Sequence, residues 1–207
     1  MNIYFVRHGQ SEGNKKKIYQ GDGVCLSEKG VNQAKTVAKR LRNYDIDVIY
    51  SSPYLRAKQT AEIISEELNL PVEYWDKLKE LKRPSVLEGL EYSHPKAGKI
   101  KKIMSENENI ADWKYEDGES FNDLLTRAKA IKKHIFKQHK KQNVVCVLHV
   151  QILTMTVLSI ILEDKISPDV FWQFYRHSRQ KNTGITQVKY SQTFGWNLIS
   201  WNDTTHL

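Results

Sequence analysis

Two runs of this chain are apolar at every position, and each is closed by a histidine. Ile3-Tyr4-Phe5-Val6 leads into Arg7-His8, and Val144-Val145-Cys146-Val147-Leu148 leads into His149. A strand with one wet face alternates apolar and polar residues, so a run without alternation has to be covered on both faces. The β-branched second run, opening at Asn143, reads as a central strand. Strands of this kind belong to an α/β sandwich of three layers, with helices on both faces of a mostly parallel sheet. In open sheets of that class ligands bind outside the carboxyl ends of the strands. Both histidines are therefore expected at the binding rim.

The intervening chain supplies the covering elements. Residues from Gly9 to about Leu26 read as a polar loop. Ser27 is placed to cap a helix from Glu28 to about Asn43, with Val31, Ala34, Val37, Ala38 and Leu41 at helical spacing. Asp47 to Ser51 reads as a strand. Ser52-Pro53 has the form of a cap followed by a first-turn proline, opening a helix that runs to about Leu68. Pro71 to Trp75 is a short third strand, giving a βαβαβ order. Leu78 to Ser120 is rich in Lys and Glu and broken by Pro84, Gly89, Pro95, Gly98 and Gly118. Its one clear helix is near Pro95 to Ser105. We read residues 81–120 as a segment inserted over the sheet edge of a single domain, 1–207. Ser120 and Asp123 have capping-box spacing for a helix to about Gln138. A further helix should run from Val150 to Leu162. Gly184–Tyr190 and Trp196–Trp201 alternate and predict an edge hairpin.

Composition narrows the function. Among 207 residues Lys and Arg outnumber Asp and Glu by 32 to 24. The excess favours anionic partners without choosing among phosphate esters, nucleic acid and membrane surfaces. The Lys clusters are short and scattered, as on a solvated surface. Aromatic residues do not interleave with them, so nucleic acid is not the expected partner. The apolar stretch Ile152 to Leu162 is too short to span a bilayer, and no leader peptide is visible, so no membrane association and a cytoplasmic location are expected. Cys25 and Cys146 cannot make a disulfide framework or a Cys-rich metal site. The chain has no His-x-His or His-Glu-x-x-His spacing, and neither a metal ion nor another cofactor is expected.

Arg7 stands beside His8, and Arg56 follows the second strand. Two guanidiniums at one rim suit a dianion, because each offers a planar fork of donors to phosphate oxygens. A neutral imidazole is a competent nucleophile if its other nitrogen is pinned. The leaving alkoxide then needs a proton from a carboxylic acid.

The residues that carry this chemistry match a known pattern. Arg7-His8-Gly9-Gln10-Ser11-Glu12-Gly13-Asn14, Leu26-Ser27-Glu28-Lys29-Gly30-Val31-Asn32-Gln33-Ala34 and Ser51-Ser52-Pro53-Tyr54-Leu55-Arg56-Ala57-Lys58-Gln59-Thr60-Ala61 follow one another in order. Together they resemble the histidine phosphatase superfamily, in its phosphoglycerate mutase-like branch. The resemblance implies a phosphoglycerate mutase-like fold, with His8 as the phosphorylated nucleophile and Arg7 and Arg56 as its phosphate clamp. It also implies that Asn14 contacts the phosphoryl group, that Glu80 is the proton donor and that Glu88 has a structural role. His149 would be the second phosphate-binding histidine, followed by the Val150 N–H. Asn182 to Thr186 is similar to the family's final segment. The implied activity is metal-independent hydrolysis of a small phosphomonoester through phosphohistidine. The alternatives are mutase-type phosphoryl transfer and a non-catalytic protein that binds phosphoesters or nucleic acid. The chain departs from the family pattern at Val150, where Gly is usual, and at Cys25, where Pro usually precedes Leu. After Glu80 it has Leu81-Lys82-Arg83-Pro84-Ser85 in place of the mutases' Arg-rich segment, which favours the hydrolase. Arg83 and Tyr92 are candidates to touch substrate. His94, His134, His139, His177 and His206 are expected to lack functional partners.

Overall fold

The computed structural model describes residues 1–207. Its six strands are β1 (Asn2–Arg7), β2 (Val48–Ser51), β3 (Val72–Tyr74), β4 (Asn143–Leu148), β5 (Ile185–Ser191) and β6 (Gly195–Asp203). They form one sheet in the order β3-β2-β4-β1-β5-β6. The first four in that order are parallel; β5 runs antiparallel to β1, and β6 antiparallel to β5. Seven helices surround the sheet: α1 (Glu12–Lys16), α2 (Glu28–Leu41), α3 (Leu55–Leu68), α4 (Pro95–Glu106), α5 (Phe121–Gln138), α6 (Val150–Ile161) and α7 (Pro168–His177).

Alternate residues of the central strands feed two separate cores. Tyr4, Val6, Val145 and Val147 pack with Val37, Leu41, Ala57, Ala61 and Ile64 of α2 and α3. Ile3, Phe5, Val144, Cys146 and Leu148 pack with Leu124, Ile131, Ile152, Leu153 and Phe171 from α5, α6 and α7. This is why neither run alternates, and it gives the three layers expected. Helix α6 is buried from Gln151 through Ile160. No helix is long and apolar enough to cross a membrane.

Neighbouring strands β1 and β4 send their following helices to opposite faces of the sheet, which opens a crevice at their carboxyl ends. Two glycines fix the chain as it leaves β1. A Cβ on Gly30 would lie 1.9 Å from the Gln10 carbonyl oxygen, and one on Gly9 2.5 Å from that of Gly30. The turn after His8 therefore rests directly on the α2 backbone, at a separation that only glycine permits.

Two local expectations are corrected. The stretch after His8 is not loop throughout: Ser11 and Asn14 form a reciprocal capping box that starts α1, and Lys17 ends it in the left-handed region. Ser52-Pro53 does not start α3. The helix begins at Leu55 after Tyr54, which makes no side-chain cap bond, because the Ser52 hydroxyl has another partner, described below.

Residues 81–120 carry a small core of their own, Leu87, Ala97 and Ile100, with Tyr19 packed against it. The Tyr19 N–H donates to the Leu90 carbonyl at 2.9 Å and the Tyr92 N–H to that of Lys17 at 2.9 Å. The segment is thereby tied to the chain around α1 and walls one side of the crevice.

Candidate active site

His8 is the first residue beyond β1. Its N–H still donates to the Leu148 carbonyl at 3.0 Å, so the two strands end side by side. The rings of His8 and His149 consequently lie with centroids 5.0 Å apart, and both are buried. His8 Nδ1 is 2.7 Å from the Gly9 carbonyl oxygen. A carbonyl oxygen only accepts, so Nδ1 carries the proton and Nε2 keeps its lone pair. The Gly9 N–H is in turn held by Thr60 Oγ1 of α3 at 3.1 Å.

His149 Nε2 lies 2.9 Å from Ser52 Oγ, which also accepts the Tyr54 N–H at 3.3 Å. With the Ser52 O–H donating to Nε2, the proton of a neutral His149 is on Nδ1, a buried atom with no protein partner. The Tyr54 ring stands edge-on to His149 at 5.2 Å, with the Arg56 guanidinium 5.1 Å over its face.

Arg56 donates to the Gly21 carbonyl at 2.8 Å and Arg7 to that of Gln180. Burial lowers the pKa of both guanidiniums, and the Glu80 carboxylate opposes the shift. The charge of Arg7 also acts on Arg56 as repulsion, which an anion placed between them would relieve. Burial pushes His8 well below the ordinary imidazole pKa, and Arg56 and Arg7 add to the shift. Burial, then Arg56, does the same to His149. The shift favours the neutral form of both rings at pH 7. In the free protein, the C2-proton NMR signals of His8 and His149 should stay at their neutral positions as pH falls through about 6.5, where unperturbed imidazoles titrate. A His8 midpoint at or above that value would contradict this electrostatic picture.

Glu80 reaches the opposite wall. Its Oε1 accepts the N–H groups of Leu81 at 3.0 Å, Gln151 at 3.0 Å and Ile152 at 3.2 Å. Oε2 has only the longer contact from Gln151 N at 3.3 Å. The carboxylate straps its segment to the positive N-terminal end of α6 and leaves Oε2 the oxygen with free lone pairs. Arg127 of α5 donates to the carbonyls of Lys77, Lys79 and Glu80 and pairs with Glu119, which holds that backbone in place.

Arg7, His8, Asn14, Arg56, Glu80, His149 and Val150 all line one cleft of about 700 Å³, within the range of small-molecule sites. Arg83 and Tyr92 line it too. Asn14 is engaged in holding loops together: its Oδ1 accepts from Ser11 N at 3.3 Å and from Asn182 Nδ2 at 3.3 Å. Asn182 also donates to the His8 carbonyl at 2.9 Å. Glu88 packs against Gly21, where a Cβ would meet its Oε1. Sequence reasoning missed Tyr54, Gln151, Tyr175 and Arg176, which also line the cleft, and the role of Ser52. Of these Gln151 left a signal, as an amide near the start of a largely apolar helix.

His134 and His139 meet another side chain outside the site. Their Nε2 atoms lie 3.4 and 2.9 Å from the Tyr50 hydroxyl, away from the cleft. His94 caps α4 by accepting the Lys96 N–H at 3.2 Å. No group of three or more His, Cys, Asp and Glu side chains is arranged to hold a metal ion.

Comparison with known proteins follows this geometry closely. The model of the histidine phosphatase superfamily (branch 1) matches residues 3–204. Phosphoserine phosphatase 1 of Hydrogenobacter thermophilus is 32% identical over 158 residues, 72% of this chain and 71% of that protein. A probable phosphatase of Schizosaccharomyces pombe is 36% identical over 135 residues; the match takes in 64% of this chain and 45% of that longer protein. A probable phosphoglycerate mutase GpmB of Citrobacter koseri is 27% identical, with 100% of this chain and 95% of that one covered. Among solved structures, a mutant phosphoserine phosphatase from Entamoeba histolytica in complex with phosphoserine has a TM-score of 0.80 at 26% identity, covering 100% of this chain and 98% of that one. YhfR of Bacillus stearothermophilus has a TM-score of 0.85 at 24% identity, covering 99% and 98%, and shares the fold.

Proposed function

The chain belongs to the histidine phosphatase superfamily (branch 1), and on that premise we propose that it hydrolyses a small phosphomonoester through a phosphohistidine, without a metal ion. The supporting observation is the His8 Nδ1 bond to the Gly9 carbonyl, which turns a neutral Nε2 lone pair to use in a cleft that also holds Arg7 and Arg56. With Glu80 protonated on Oε2, Nε2 attacks phosphorus and the ester oxygen departs with that proton. Arg7, Arg56, the His149 Nδ1–H and the Val150 N–H bind the equatorial oxygens, where negative charge builds up. Water then attacks the phosphohistidine and gives its proton to the Glu80 carboxylate. Inorganic phosphate leaves, and His8 and Glu80 return to their starting states. Asn14 keeps the His8 loop in place through Asn182, and residues 81–120 act as the substrate-facing lid of a single domain.

Relatives named as phosphoserine phosphatases support a small phosphorylated metabolite as substrate. The relatives named as phosphoglycerate mutases keep mutase chemistry as the second reading, and the segment after Glu80 favours hydrolysis. Rapid acid-free quenching of turnover with a ³²P-labelled ester should trap a chain-bound label that is stable to alkali and labile to acid. Turnover without any such label, or turnover abolished by a chelator, would overturn the proposal.

A further inference from the structure

The 2.9 Å contact between Ser52 Oγ and His149 Nε2 can be built in two ways. Either the hydroxyl donates to a ring lone pair, or an Nε2–H donates to the hydroxyl. The two put the imidazole proton on opposite nitrogens, because the bond made by one nitrogen decides which of them is protonated. They also present the cleft with opposite groups at Nδ1: an N–H in the first case, a lone pair in the second.

The surroundings of the serine choose the first. Ser52 follows β2, and its N–H donates to the Val147 carbonyl at 2.9 Å. This sets it beside the end of β4, which His149 follows, at 0% exposure. Its oxygen accepts the Tyr54 N–H at 3.3 Å, and His149 Nε2 is the acceptor within reach of its proton. The hydroxyl of neighbouring Ser51 is committed elsewhere, to the Ser52 carbonyl at 2.9 Å. Were Nε2 the donor, two buried groups would lack partners, the Ser52 O–H and the Nδ1 lone pair. With the hydroxyl donating, the Nδ1–H alone is left over, and each unpaired buried group costs stability. Ser52 sits behind the ring, outside the cleft lining, whereas His149 lines the cleft. His8 carries its proton on the same atom but turns it to the Gly9 carbonyl. One tautomer therefore serves twice: His8 offers a lone pair, and His149 offers a proton.

We infer that Ser52 is a positioning residue for phosphoryl recognition: acting through His149 alone, its hydroxyl holds the imidazole proton on Nδ1, where a phosphoryl oxygen receives it. The inference deepens the phosphatase reading and rests on it for the anion that takes the proton.

Nitrogen-15 NMR of the labelled histidines reads the tautomer directly, at about pH 8, above the ordinary imidazole range. In the wild type, His149 should show a protonated Nδ1 and an unprotonated Nε2, and the Nδ1 signal should move when inorganic phosphate is added to saturation. In Ser52→Ala an Nε2–H form should appear, and the Kd for inorganic phosphate should rise about tenfold or more, the scale of one hydrogen bond to a charged group. Ser52→Thr, which keeps a hydroxyl, should retain the tautomer and stay within about threefold of the wild-type Kd. A serine that merely supports Tyr54 would weaken phosphate binding in Ser52→Ala with the proton still on Nδ1, and that result overturns the inference. So would a wild-type His149 protonated on Nε2, an Nδ1 signal indifferent to phosphate, or wild-type affinity in Ser52→Ala. Ser52→Thr with the tautomer intact but phosphate binding no better than in Ser52→Ala would overturn it too. None of these measurements needs turnover. The expected tautomer and phosphate response in a protein that hydrolyses no ester would sink the phosphatase and keep the role of Ser52; ester hydrolysis with the His149 proton on Nε2 would do the reverse.

Discussion

His8→Ala is expected to lower phosphoester turnover by at least about 10⁴-fold, the scale on which removal of a nucleophile acts, while the protein stays folded. The imidazole's one strong bond is to the carbonyl of the next residue, so its loss uncouples no two elements of the fold. The steady-state rate of phosphate release and the thermal midpoint, measured on the same preparation, check both halves. Rates within about tenfold of wild type would remove His8 from the chemistry. The variant should also show a changed acid response. His8 has a folded pKa below its unfolded value, so below about pH 6.5 the unfolded chain binds the extra proton and stability falls as pH falls. Removing the ring removes that share of the loss, while His149 and His206, whose folded pKa values are also lowered, still contribute.

Glu80→Gln is expected to reduce kcat/KM for alkyl phosphates by about 10²- to 10⁴-fold, and for aryl phosphates by less than about tenfold, because an aryl oxide leaves without help. The amide oxygen can keep the bonds now made by Oε1 to Leu81, Gln151 and Ile152, so the strap to α6 survives while the mobile proton is lost. Hydrolysis of the phosphoenzyme would lose its base at the same time. Aryl phosphates should then release a stoichiometric burst of phenol followed by slow turnover, seen by stopped flow. Equal losses in kcat/KM for both ester classes would remove Glu80 from the proton-transfer role.

What could be read from the sequence was set by local pattern. The unalternating runs before His8 and His149 required cover on both faces, and the two cores either side of β1 and β4 provide it. The chain positions of Arg7, His8, Arg56 and His149 place them at strand ends and one helix start, and the structure brings all four to one cleft. Ser52 shows where local reasoning stops. Its sequence context predicts a helix cap, but His149, 97 residues away, takes its hydroxyl, and α3 starts later without it. Tyr175 and Arg176 reach the cleft only because α7 packs beside α6, a placement no periodicity reveals. The contact of His134 and His139 with Tyr50 is likewise beyond local pattern, since it takes the fold to bring α5 beside β2.

The acceptor on His8 Nδ1 also bears on how long a covalent intermediate can last. A peptide carbonyl can hold a proton but cannot take it. In the proposed mechanism the ring phosphorylated at Nε2 has no base to discharge it and stays cationic, a far better leaving group than a neutral imidazole. On that reading the bond that leaves Nε2 its lone pair also makes the captured phosphate short-lived, and the next acceptor to arrive, water included, receives it readily.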